Sequence, residues 1–326
     1  MLIGVLLGVA AGALWGLIYL APLMVPEYNP ILLALGRFVV YGLVSLPFLW
    51  IFRRELAKFT RRDFFDAFWM PMVGNIIFYA LLTSSIRLSG APLAGMLMAT
   101  IPVLVAVVSN IRYAAHGRAA PWRRVVPPVM LIFGGLVFAN WSEFELLTQT
   151  AGEEGFWEGA GLGVLFVIAW TWFSIANAEW LVANPEKSPY AWTALQGVMI
   201  LPVASILFIV GAGPFGMLDT SAGLLGPAPV RFLLVLLMLG TLCSWLAMIC
   251  WNSMSQRLPS ALSGQLIVFE SIFAVVYALI YRGETPALTM IAGFIVLLVG
   301  VLGSLRAFRM PLEPHGPKTH PVRAAQ

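Results

Sequence analysis

The sequence predicts an all-α, polytopic membrane protein with ten transmembrane helices, arranged as two inverted repeats of five helices. Three observations lead there: the composition, ten apolar segments of spanning length, and short motifs that recur between the two halves. Of the 326 residues, 60% are hydrophobic and only 10% are charged, with a mean hydropathy of +0.89. Soluble domains carry about 25% charged residues. The chain is therefore expected to be an integral membrane protein.

Ten apolar segments can cross a hydrocarbon core of about 30 Å, which takes about 20 helical residues. In the first half they are Leu2 to Pro22, Ile31 to Phe52, Phe65 to Ile86, Ala91 to Tyr113 and Val125 to Asn140. In the second half they are Ala160 to Val182, Tyr190 to Gly211, Phe232 to Trp251, Ser260 to Tyr281 and Leu288 to Phe308. We expect residues 1–140 and 160–308 to be the two repeats. Residues 141–159 would be an acidic extracytoplasmic loop, and residues 309–326 a disordered cytoplasmic tail.

The basic residues predict the orientation of the chain. Fifteen of the 19 Lys and Arg residues fall on one side of the predicted spans. Because cytoplasmic loops carry the excess of Lys and Arg, both termini are expected to be cytoplasmic. The expected location is a bacterial inner (plasma) membrane. Basic residues placed in this way indicate topology, so no nucleic-acid partner is expected.

Internal repetition supports the division into two halves. At an offset of 159 residues, the segment VPEYNP at 25–30 lies over NPEKSP at 184–189, so that Pro-Glu-x-x-Pro follows the first span of each half. Further on, 87–108 resembles 257–278 at an offset of 169 or 170. Since five spans is an odd number, the second copy would enter the membrane upside down, as in secondary transporters whose site lies between the halves.

Glu270 is an acid in the middle of a predicted span. A charge at that depth costs roughly 2.5–3.5 kcal/mol on insertion scales, so such a residue normally faces a protein interior or a watery cavity. Two interpretations remain open. Glu270 either binds a substrate amine or acts as a protonatable gate, because low dielectric disfavours a charged carboxylate, or it is a structural acid that ties two helices together.

Arg37 is the one basic residue inside a span, six residues from the start of the second one. Its long side chain can snorkel to the membrane interface. The alternatives are contact with a substrate carboxylate and an internal pair with a helix terminus.

Further candidates are polar or aromatic side chains within the spans, which must find partners inside the bundle. Helix 1 carries Gly4, Gly8, Gly12 and Gly16, a stripe typical of close helix packing. Beside it lie Trp15 and Tyr19. The complete set of candidate substrate-binding residues is Glu270, Arg37, Trp15, Tyr19, Asn75, Tyr79, Trp170, Asn177, Trp245 and Gln265. For the amides and aromatics, interhelical hydrogen bonding and packing is the competing interpretation.

The sequence favours no enzymatic function. The three histidines lie in predicted loops or the tail, and the two cysteines, Cys243 and Cys250, lack metal-ligand spacing. No phosphate-binding GxxxxGK[ST] motif is present. We expect no catalytic residues, no metal and no cofactor.

Several segments together resemble the drug/metabolite transporter superfamily, in particular its EamA-like ten-helix members. They are ALWG at 13–16, Arg37-Phe38, SSIRLSGAPLAGMLMATIPVL at 84–104 and LIVFESIFAVVYALIYRGETP at 266–286. The resemblance covers most of residues 2–308. It implies a proton-coupled or passive carrier of small metabolites, often amino acids or related amines moving outward, with alternating access between two halves.

The expected function is therefore a secondary transporter, an exporter of an amino acid, an amine or an aromatic compound. Its expected partners are a small-molecule substrate, the lipid bilayer and protons as a coupling ion, and the chain would be a monomer or a homodimer. The alternative is a membrane sensor that binds a ligand without moving it.

Overall fold

A computed structural model describes residues 1–114, 120–139, 154–221, 223–283, 285–286 and 288–307. The regular secondary structure of these residues is entirely helical, and no β-strand occurs among them. Most of the predicted acidic loop, residues 140–153, and the whole predicted tail lie outside the described part of the chain.

Ten helices within these ranges are long and apolar enough to cross a membrane. They are α1 (Leu2–Met24), α2 (Pro30–Ile51), α3 (Arg61–Gly90), α4 (Leu93–Ala114), α5 (Trp122–Ala139), α6 (Phe156–Ala183), α7 (Pro189–Ala212), α8 (Pro229–Ser255), α9 (Ser260–Arg282) and α10 (Leu288–Ala307). The predicted all-α fold with ten spans is confirmed.

Local sequence explains where several helices begin. Helices α2 and α7 both start with proline after a capping side chain: the Asn29 side chain accepts from the backbone of Ile31, and the Ser188 side chain accepts from the backbone of Ala191. Such caps satisfy backbone donors that have no partner inside the helix. Helix α3 begins four residues before the predicted Phe65, because Thr60 and Asp63 form a reciprocal capping box.

Helices α3 and α4 meet at a sharp turn around Gly90. Its φ of 82° and ψ of 159° interrupt an otherwise continuous helical segment. Residues other than glycine rarely adopt this conformation. The short turn places α3 and α4 side by side, so that both can pack on the same neighbour.

Equivalent helices of the two halves have equivalent packing neighbours in the opposite half. Helix α2 packs on α7, and α5 packs on α10. Helix α1 packs on α8 and α9, while α6 packs on α3 and α4. If α1 is exchanged with α6, α2 with α7 and so on to α5 with α10, this list of neighbours is unchanged.

Two π-helical turns occur at corresponding places. Met72–Ile77 forms such a turn within α3, and Thr241–Leu246 forms one within α8. An offset of 169 residues relates them, which is also the offset at which the sequence segments resemble each other. Turns of this type are rare in helices and frequent at functional sites.

Burial differs between the two parts of α9. In the last turns of α8, Ala247–Ser255, every residue except Cys250 is buried, and all of Ser260–Gln265 at the start of α9 is buried. From Phe269 to Arg282, by contrast, only Ala274 is buried. The bundle is tightly packed where α8 leads into α9, and the rest of α9 is partly exposed.

Candidate functional site

Glu270 lies just after the buried start of α9, where the helix becomes partly exposed. Helix α9 is not continuous: regular helix ends at Gln265 and resumes at Val268, and the Glu270 amide donates to the Ile267 carbonyl at 2.9 Å. Glu270 therefore stands in the first turn of the second segment, where the helix dipole favours a negative charge. Its partly exposed carboxylate accepts one hydrogen bond from the Tyr19 hydroxyl at 3.2 Å.

The glycine stripe of α1 brings the Tyr19 helix close to Glu270. A Cβ atom at Gly12 would lie 2.9 Å from the backbone nitrogen of Glu270, and one at Gly16 would lie 2.8 Å from that of Ala274. Only glycine fits this closely against a neighbouring backbone. The predicted packing role of the stripe is confirmed. The close packing of α1 on α9 brings the Tyr19 hydroxyl within hydrogen-bond distance of the Glu270 carboxylate.

Arg37 is buried and is held by groups from two other helices. Its Nε donates to the Ser244 hydroxyl at 2.7 Å, Nη1 donates to the Tyr79 hydroxyl at 2.7 Å, and Nη2 contacts the carbonyl of Cys243 at 3.5 Å. The guanidinium also lies over the Phe38 ring at 5.0 Å. With 6% of the residue exposed, Arg37 does not snorkel to the interface. It links α2 to the π-helical turn of α8 and to α3.

Three tryptophans from different helices meet in the core. Trp15 of α1 and Trp251 of α8 have ring centroids 5.1 Å apart, and Trp170 of α6 lies 5.8 Å from Trp251. The Trp251 indole N–H is buried and has no hydrogen-bond partner in the part of the chain that the structure describes. Trp15 precedes a 3-10 turn, Leu17–Leu20, which carries Tyr19, so the indoles lie one turn along α1 from the contact between Tyr19 and Glu270.

Asn177 belongs to a buried amide network. Its amide donates to the Asn252 carbonyl oxygen at 2.8 Å, and its own oxygen accepts from the Trp192 indole at 2.9 Å and from the Gln196 amide at 3.0 Å. The Asn252 amide donates in turn to the Thr193 hydroxyl at 2.8 Å. These mutual bonds join α6, α7 and α8, as the interhelical interpretation predicts.

The remaining candidates are dispersed. Asn75 lies in the π-helical turn of α3, and Tyr79 lies beside it and accepts from Arg37. Trp245 stacks on Phe48 at 4.1 Å, on the α2 side of α8. Gln265 is fully buried at the break in α9, and both polar atoms of its amide lack a partner among the described residues.

Two cavities lie between the helices; one is lined by the candidate Tyr79, and neither is lined by Glu270. One of about 210 Å³ lies between α2, α3 and α7 and is almost entirely apolar, with Phe38, Tyr79 and Thr83 in its wall. The other, of about 290 Å³, lies between α4 and α6 near the ion pair of Arg112 and Glu179. The first cavity shares Tyr79 with the hydrogen-bond partners of Arg37.

Sequence reasoning missed several residues of this centre. Trp251 is not among the predicted residues, because Trp245 lies in the π-helical turn of α8 and the turn shifts the helix face that follows it. Ser244 gives no signal, since a serine in a span is common. Outside this centre, Asp63 and Lys187 form a buried ion pair that the sequence does not predict.

The fold and these side chains define a polytopic α-helical membrane protein with an acidic and aromatic centre between its helices. Residues 2–141 match the EamA-like transporter family. The chain is 34% identical over 323 residues to the inner membrane protein YtfF of Escherichia coli (strain K12), and the match covers 99% of both chains. The chain belongs to the EamA-like transporter family, and the predicted resemblance is confirmed.

A solved structure also has the same fold. The structure, titled only "Crystal structure of protein", superimposes with a TM-score of 0.67 and 16% sequence identity, over 94% of this chain and 99% of that one. At this identity the likeness concerns the fold alone.

Proposed function

We propose that this chain is a secondary transporter that exports a small metabolite, such as an amino acid, an amine or an aromatic compound, by alternating access between two inverted halves. The single observation that carries the proposal is the Glu270 carboxylate inside a membrane-spanning bundle, where the described residues offer it one neutral hydrogen-bond partner. An acid so placed normally marks a substrate or ion pathway.

The surroundings of Glu270 support the proposed solute classes. A cationic amine would replace the weak Tyr19 contact with an ion pair. The indoles of Trp15, Trp170 and Trp251 offer faces for cation–π contact or for stacking of an aromatic group. Arg37 is not the proposed anion contact, since neutral groups of the protein already hold its guanidinium. A carboxyl that gains and loses a proton would also couple export to protons.

The helix arrangement supports the alternating-access mechanism. The exchange symmetry of the neighbours and the matching π-helical turns are what two related halves would produce. Inverted repeats of this kind transport solute by rocking one half against the other around a central site. The Pro-Glu-x-x-Pro segments are then equivalent connections on opposite sides of the membrane.

Counterflow in proteoliposomes tests this function. A thermal-shift panel of amino acids, polyamines and aromatic cations would first identify ligands, because a ligand that binds only the folded protein raises its Tm. Proteoliposomes preloaded with such a ligand should then accumulate its labelled form. A ligand that stabilises the protein but shows no counterflow would contradict transport and favour a sensor.

A further inference from the structure

The two Pro-Glu-x-x-Pro connections, residues 25–30 and 184–189, each make a set of contacts with the opposite half of the chain. We call these contact sets the first clasp, around Lys187, and the second clasp, around Tyr28. Lys187 lies just before α7 and Arg231 lies after it, so α7 separates the two clasps. Its 24 residues span about 36 Å at 1.5 Å per residue.

The first clasp is a buried ion pair. Lys187 Nζ lies 2.7 Å from Asp63 Oδ2, with 9% and 6% of the two side chains exposed. The Trp180 indole donates to Asp63 Oδ1 at 3.1 Å, and the backbone of Thr60 donates to Asp63 Oδ2 at 2.6 Å. The ammonium also lies 5.6 Å from the Phe59 ring centre. The connection between α6 and α7 is thus fastened to the start of α3.

The first clasp also reaches α8. The Gln256 amide donates to the Lys187 carbonyl at 3.0 Å, immediately after the fully buried Ser255. The clasp therefore closes the same end of the bundle at which α8 and α9 are buried. Because solvent is excluded, salt screens this ion pair little.

The second clasp also joins the two halves, but through a buried tyrosine and a surface ion pair in place of a buried ion pair. The Tyr28 hydroxyl donates to the Leu225 carbonyl at 2.8 Å and accepts from the Ala228 amide at 2.9 Å, and its ring stacks on Phe232 at 4.2 Å. Beside it, Glu27 pairs with Arg231, with 24% and 56% of these side chains exposed. The connection between α1 and α2 is fastened to the start of α8.

The two clasps occupy equivalent places in the chain. The offset of 159 residues that aligns the two connections puts Tyr28 over Lys187. The first clasp joins the second half to the first, and the second clasp joins the first half to the second. Their chemistry differs, since the central group is a buried ammonium in one and a stacked phenol with a surface ion pair in the other.

We propose that the two clasps are the opposing latches of the transport cycle, the first holding one end of the bundle closed and the second holding the other. The proposal rests on the alternating-access function. Both clasps are formed in this structure. Removing Lys187 has the larger effect, because it leaves Asp63 buried without its ion pair, whereas an exposed pair such as that of Glu27 and Arg231 contributes little. Removing a latch shifts the population towards the state that is open at its own end.

Cysteine accessibility in matched variants tests the proposal. In a background with Cys243→Ser and Cys250→Ala, Ser255→Cys reports on the first end and Val25→Cys on the second, since both residues are fully buried. With a water-soluble maleimide, Lys187→Met should raise the labelling rate of Ser255→Cys about tenfold and leave Val25→Cys unchanged. Lys187→Arg, which keeps the charge, should stay protected.

The second latch has its own matched pair of variants. Arg231→Met should raise the labelling of Val25→Cys, by less than the first effect, and Arg231→Lys should not. The proposal would be overturned if Lys187→Met did not raise the labelling rate of Ser255→Cys, or raised the labelling rates of both reporters equally. Equal increases would mean that the substitution loosens the whole protein and does not open one end. If Lys187→Met is not monodisperse, Asp63→Asn takes its place; aggregation of both variants would show a structural clamp and contradict the latch.

The outcome also separates the latch from the proposed function. Counterflow by the wild-type protein with no selective labelling would overturn the latch and leave transport standing. Selective labelling without wild-type counterflow of any stabilising ligand would leave a two-ended switch and contradict transport.

Discussion

At the scale of single residues, polar groups inside the bundle either have several hydrogen-bond partners or have one or none among the described residues. Arg37 and Asn177 are held by several partners on other helices. Glu270 has one weak partner, and the Gln265 amide and the Trp251 indole N–H have none among the described residues. A buried polar atom without a partner costs about 1–3 kcal/mol. A bound solute or water molecule would therefore gain the most hydrogen-bonding free energy at Glu270, Gln265 and Trp251.

Replacing Asn177 tests this division. Asn177→Leu leaves the Trp192 indole and the amides of Gln196 and Asn252 short of a partner, so we expect a loss of about 1–3 kcal/mol for each group left unpaired. The Tm of the purified protein should fall. The affinity for a ligand found by thermal shift should change little, as measured by calorimetry. A large loss of affinity with an unchanged Tm would place Asn177 in the binding site instead.

The sequence can identify residues of this kind, but it cannot show how they are used. Glu270, Arg37 and Asn177 are all recognisable as polar groups in apolar spans. Their partners lie up to 251 residues away in the chain, as with Tyr19 and Glu270. Whether a polar group is already satisfied depends on those distant contacts, which no local pattern encodes.

At the scale of helices, the contact of α1 with α9 positions the site. The glycines of α1 let it approach the α9 backbone next to Glu270, whereas at Gly134 in α5 nothing lies within 4 Å of an added Cβ. The same substitution, glycine to alanine, can therefore be compared at Gly12, where the packing is close, and at Gly134, where there is open space.

We expect Gly12→Ala to separate α1 from α9 and to weaken the contact between Tyr19 and Glu270. The forced approach of about 2.6–2.9 Å requires a helix shift, which typically costs about 1–3 kcal/mol. Counterflow should fall and the Tm should drop, while Gly134→Ala should leave both near the wild-type values. Equal effects of the two substitutions would show that the stripe does not position the site.

The helices themselves could be predicted closely, because apolar length and capping residues are local signals. Two features could not be predicted. These are the π-helical turns in α3 and α8 and the interruption of α9 before Glu270. Each depends on packing against another helix, which overrides local propensity.

At the scale of the whole molecule, the proposed inversion has a direct consequence for topology. Glu27 and Glu186 occupy the same place in the two Pro-Glu-x-x-Pro connections, and both residues are exposed. Single cysteines at these two positions should react with an impermeant maleimide from opposite sides of the membrane, Glu186→Cys from the cytoplasmic side. Labelling of both from one side would show that the halves are not inverted.

The central claim is that the Glu270 carboxylate carries the transport reaction. Counterflow by Glu270→Gln, which keeps the shape of the side chain and removes its charge, tests that claim most directly. Glu179→Gln is the matched control, because Glu179 forms an ion pair with Arg112 between α4 and α6, away from Glu270. We predict that Glu270→Gln abolishes counterflow or makes it independent of pH, and that Glu179→Gln retains it. Unchanged flux with an unchanged pH dependence in Glu270→Gln would contradict the account.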